Sequence, residues 1–194
     1  MKNRFITLSL ITVVGLQFGC GEKKDEKRQD QFIPVASLIE SQVSHIDTSL
    51  YPIIKVIFRD TLTNDTEYIR REDFRAIARD FLEIPELSKK KFTEENIPGP
   101  TDNLSTISYR PIDPDKEEIQ KVDIIIDPAL TGMGNNVIKS IFVDKTFTNK
   151  DSAVGKKMLW RIDHSFQVTT FKQLKGQPET TETYRVIWNE DEYQ

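Results

Sequence analysis

From Ser105 to Asn189 apolar side chains recur at every second residue, and a period of two is the signature of half-buried strands. Val122, Ile124 and Ile126 alternate with Asp123 and Asp127. Met158, Trp160, Ile162, His164, Phe166 and Val168 form one row, and Tyr184, Val186 and Trp188 form another. The pattern predicts strands over 105–111, 119–127, 137–147, 157–171 and 182–189. Turn-forming residues interrupt it at Gly132 to Asn136, at Asn149 to Asp151 and at Gly176 to Pro178. Consecutive strands joined by turns predict a five-stranded antiparallel meander, curved, with one face buried.

Upstream the period changes. Val35, Leu38, Ile39, Val43 and Ile46 follow helical spacing, with Pro34 suited to the first helical position. Phe74, Ile77, Ala78, Phe81 and Leu82 do the same, and Glu72 and Asp73 favour the dipole of the first turn. Between these stretches, Ile54, Val56 and Phe58 alternate with Lys55 and Arg59. The turn Thr63-Asn64-Asp65 returns the chain as a hairpin over 66–70. Residues 85–104 show no period and read as a long loop carrying Lys89-Lys90-Lys91, suited to covering a site, to contacting a partner or to serving as a loose solvated connection. The expected fold class is α+β, with two amphipathic helices packed on a curved, mainly antiparallel sheet of hairpin plus meander. The layout is cystatin-like by analogy only, and analogy of fold assigns no function.

Composition narrows the chemistry. In 194 residues there are one cysteine and two histidines, which excludes an internal disulfide and a Cys/His zinc site. The net charge of −4 gives no sign of general nucleic-acid binding. The single cysteine is instead informative by position. Lys2 and Arg4 precede an apolar run from Phe5 to Phe18 that matches a secretory h-region in length. The run ends Leu16-Gln17-Phe18-Gly19-Cys20.

That ending resembles the lipobox of bacterial lipoproteins, although Gln17 stands where leucine is usual. The resemblance implies cleavage before Cys20 and attachment of diacylglycerol to its sulfur. The implied organisation is a removed signal peptide over 1–19, a lipidated cysteine and charged tether over 20–33, and a single globular domain over 34–194. Removing residues 1–19, which carry +2, takes the net charge from −4 to −6. Residues 21–30 hold four acids, four bases and no apolar side chain, too little to offset the entropy of ordering them. Within them Lys24-Asp25-Glu26 resembles the short signals that direct some lipoproteins to the cell surface. The stretch Tyr68 to Leu82 and the strands around Trp160 and Trp188 resemble small envelope lipoproteins of Gram-negative bacteria, a group that brings no activity with it.

Candidate chemistry is sparse. The sequence has no Gly-x-Ser-x-Gly elbow, no His-Glu-x-x-His and no phosphate-cradling loop. His164 is the one titratable group in an apolar row, suited either to a ligand contact or to a half-buried strand position. Asp163 beside it points to the other face of a strand, so the two form no simple dyad. His45 falls at the edge of the first helical stripe and carries no role. Asp113, Asp115, Glu117 and Glu118 begin like a calcium loop but place Glu118 where that loop needs glycine. Trp160, Tyr184 and Trp188 are inward-facing and could line a ligand cavity or fill the core.

The leading expectation is a membrane-anchored envelope lipoprotein, held through lipid on Cys20 at the outer membrane on its periplasmic side or at the cell surface. It would act as a non-catalytic binding or scaffold module, with an envelope protein as its possible partner, no cofactor and no nucleic acid. The alternative is a small ligand carrier or enzyme with a pocket near His164 and Trp160.

Overall fold

The structure, a computed structural model, describes residues 32–59, 63–99, 104–127 and 137–189. Cys20, the leader and the tether up to residue 31 lie outside the described residues, as does the break at 132–136. The element order is α1 (Val35–Ile46), β1 (Ile53–Phe58), β2 (Asn64–Ile69), α2 (Arg71–Ile77), α3 (Arg79–Leu82), β3 (Phe92–Pro98), β4 (Ser105–Pro111), β5 (Ile119–Asp127), β6 (Val137–Thr148), β7 (Ser152–Arg161), β8 (Ser165–Leu174) and β9 (Thr180–Ile187).

The expected architecture requires correction. Among the described residues nine strands form one antiparallel sheet in the order β2-β1-β9-β8-β7-β6-β5-β4-β3, an arrangement that is mostly β rather than two helices on a five-stranded meander. Three local causes account for the difference. The hairpin β1–β2 is not separate, because β1 pairs with the last strand, Ile54 opposite Ile187 and Phe58 opposite Thr183. The predicted strand 157–171 is two strands, β7 and β8, folded back at Ile162-Asp163-His164 with Trp160 opposite Phe166. The loop 85–104 contains β3, which pairs with β4 from Phe92 opposite Pro111 to Pro98 opposite Ser105.

The helices begin where the sequence places them. Val35, Ile39, Val43 and Ile46 form the buried stripe of α1. The second predicted helix is broken into α2 and α3 at Ala78, whose ψ of 1° leaves helical geometry for one residue. Phe74 and Phe81 project from the two pieces onto the sheet and are fully buried. Their targets are Phe166, Trp188 and Trp160, so one face of the sheet carries the core. The opposite face protects its aromatic rings with basic side chains. Arg185 lies over Phe58, Lys157 over Phe171 and Lys121 over Phe142, each between 5.6 and 5.8 Å from the ring centroid. Exposed contacts of this kind contribute about 0.5–1 kcal/mol each.

Among the described residues two adopt left-handed backbone, Asp163 (φ 61°) in the β7–β8 turn and Gly176 (φ 74°) in the β8–β9 turn. A Cβ on Gly176 would meet no atom within 4 Å, so its substitution tests the backbone alone. Gly176→Ala should lower unfolding free energy by about 1–2 kcal/mol, visible as a lower urea midpoint at unchanged slope.

Candidate functional site

The inward-facing aromatics meet in one cluster. Trp160 (β7) is fully buried and stacks on Phe166 (β8), ring centroids 5.3 Å apart and planes 14° from parallel. Phe81 contacts Trp160 edge-on at 5.1 Å, and Trp188 lies at 5.3 Å. Tyr184 (β9) closes the group with its ring against Phe166 at 6.2 Å. The rings occupy the space between helices and sheet by contacting one another, the geometry that maximises aromatic packing. The Trp160 indole N–H is the one buried side-chain polar atom among the described residues without a hydrogen-bond partner.

His164 lies at the end of the β7–β8 turn rather than inside a strand. Its Nδ1–H donates to Asn189 O at 2.7 Å, and its own carbonyl accepts from the N–H groups of Trp188 (3.1 Å) and Asn189 (3.3 Å). These bonds fasten the end of β9 to the turn. The backbone N–H of Asp163 donates to Gln42 Oε1 of α1 at 2.7 Å. His45, in the last turn of α1, is exposed.

Beside the aromatic cluster sits an ion pair that the sequence pattern misses. Lys156 Nζ (β7) donates to both oxygens of Asp80 (α3), at 2.6 and 2.7 Å. The same carboxylate influences Tyr184. Burial first, and the Asp80 charge second, push that phenol up to about 12. Nothing in the local sequence of α3 or β7 announces this contact, because the partners are 76 residues apart.

The acidic run is dispersed among lysines. Asp113 pairs with Lys116 at 2.6 Å, Glu117 with Lys91 at 2.9 Å and Glu118 with Lys145 at 3.6 Å. Lys91 belongs to the triple-lysine run, which places part of that run against the β4–β5 connection. A half-open cleft of about 560 Å³ lies here, lined by Pro114 to Glu118, Gln120 and Thr146 to Thr148. On the opposite sheet face, Asp123 accepts from buried Ser108 Oγ at 2.8 Å and pairs with Lys121. Among the described residues no group of three or more His, Cys, Asp or Glu side chains could hold a metal ion. Among them, too, no helix is long and apolar enough to cross a membrane.

Of the residues nominated from the sequence, Trp160 and Trp188 contact one another, Tyr184 reaches them through Phe166, and His164 lies in the β7–β8 turn. Compared with protein-family models, curated proteins and solved structures, the chain matches none of them.

Proposed function

We propose that this chain is a membrane-anchored envelope lipoprotein whose domain serves as a non-catalytic binding or scaffold module. The observation that carries the reading is the segment Lys2 to Cys20, a charged start, an apolar run and a small residue directly before the only cysteine. Lipid on Cys20 would hold the chain at the outer membrane, since the two or three acyl chains of a lipoprotein cysteine anchor firmly where one does not. Lys24-Asp25-Glu26 leaves display at the cell surface open beside a periplasm-facing position. The state of the candidate reactive groups supports a module without catalysis. Trp160, Tyr184 and Trp188 are engaged in packing, and His164 ties the turn to Asn189.

The test is fractionation of the producing cells with labelled palmitate. Wild type should take up label and sediment with membranes, while Cys20→Ser should take up none and move to the soluble fraction. Cys20→Ser protein that still sediments, together with unlabelled wild type, would refute the anchor.

A further inference from the structure

The large apolar side chains most exposed among the described residues are unevenly placed. Three of five, Leu50 (97% exposed), Tyr51 (57%) and Tyr68 (79%), fall at one end of the β1–β2 hairpin. Tyr68 stands opposite Ile54 in the hairpin register, and Tyr51 lies two residues before the start of β1.

The loop that presents Leu50 and Tyr51 is firmly built. Thr48 N–H and Oγ1–H both donate to His45 O, at 3.2 and 2.9 Å, and Ser49 N–H donates to Ile46 O at 3.1 Å. Tyr51 N–H donates to Ser49 Oγ at 3.2 Å. The Arg71 guanidinium then clasps both ends, donating to Ile46 O at 2.7 Å and to Tyr51 O at 3.1 Å. A loop so fastened holds a leucine in water, where it gains nothing for the fold. Its shape is fixed before contact, so docking costs little ordering entropy.

We propose that residues 48–52 rest on a lipid surface, with Leu50 and Tyr51 entering the boundary between headgroups and acyl chains. The inference rests on the lipid-anchored reading of Cys20. Thr48-Ser49-Leu50-Tyr51-Pro52 carries no charge, which suits that boundary, and tyrosine suits it further with an apolar ring and a polar tip. The described chain starts at Phe32 with Ile33 N–H on the Tyr109 hydroxyl, and residues 20–31 can span at most about 40 Å from the anchor. One leucine and one tyrosine bind a membrane weakly when free, but tethering raises their effective concentration. The contact fixes how the domain faces the membrane.

The experiment supplies the anchor independently of acylation. Residues 20–194 carrying Cys20→Ser and an N-terminal hexahistidine are held on phosphatidylethanolamine–phosphatidylglycerol vesicles through a nickel-chelating lipid. Deuterium uptake at 47–52 should slow severalfold relative to the same protein on lipid-free nickel resin. In Leu50→Asp/Tyr51→Asp, with an unchanged melting curve, the slowing should vanish. Equal uptake on vesicles and resin overturns the proposal, and so does slowing that survives the double substitution, which would indicate a protein or tether contact. Palmitate labelling reads the anchor separately. Acylated wild type without loop protection removes this inference alone, and loop protection without acylation removes only the anchor reading.

Discussion

Replacing Trp160 with alanine is expected to cost about 3–5 kcal/mol of unfolding free energy, the range for a large aromatic removed from a packed core. The site has every feature that places it in that range. Trp160 is fully buried, stacks on Phe166 and receives the edge of Phe81 from α3. Its neighbours across the sheet, Ile141 and Phe166, are themselves fully buried and fixed in register, so the void cannot collapse readily. Trp160→Phe should cost less than half as much. The indole N–H has no acceptor, so a phenyl ring gives up area but no hydrogen bond and relieves an unsatisfied donor. Urea unfolding of the two variants decides it. Equal losses would mean that the N–H is bonded in solution.

The same cluster explains what could be read from the sequence and what could not. The helix stripes were legible because Ile39, Val43, Phe74 and Phe81 repeat at a spacing that only a helix satisfies, and all four are fully buried. The rows on β5, β7 and β9 were legible for the same reason at period two. The fold-back at Ile162-Asp163-His164 was not. Arg161 pairs with Ser165 and Trp160 with Phe166, so paired positions are both odd or both even. The alternation therefore runs through the turn unbroken, and a hairpin of this register imitates one long strand. The only local sign is Asp163, a residue type that tolerates positive φ. Strand β3 was invisible for another reason. It lies at the sheet edge with every residue after Phe92 exposed, so no apolar period marks it. Pairing of β1 with β9 joins segments more than 120 residues apart, as with Ile54 and Ile187, and no local pattern encodes it. The long-range ion pairs at the candidate sites, Lys156 with Asp80 and Lys91 with Glu117, depend on that global arrangement and were lost with it.

Alkaline pH should strip the domain of stability between about pH 10 and 12, through two tyrosines. Burial holds both Tyr109 and Tyr184 up at about 12, against an ordinary value of 10.0. For Tyr109, burial outweighs the Ile33 N–H, which favours the phenolate, and Glu94 adds to the upward push. Asp80 plays the corresponding part for Tyr184. A phenol with a raised folded value keeps its proton in the folded chain while the unfolded chain has lost it. Its contribution is therefore complete below pH 10 and disappears as pH climbs toward 12. Each gap is worth on the order of 2 kcal/mol, so together the pair contributes a few kcal/mol. That is a substantial share of the stability of a typical domain. Denaturant melts from pH 9 to 12 should show the loss in wild type and about half of it in Tyr184→Phe. Tyr109→Phe should also lose about 1 kcal/mol at pH 9, because the Ile33 N–H gives up its acceptor. The double variant should be nearly flat across the window once the exposed tyrosines and lysines, common to all four proteins, are subtracted. An equally steep alkaline loss in the double variant would show that these two phenols are not its source.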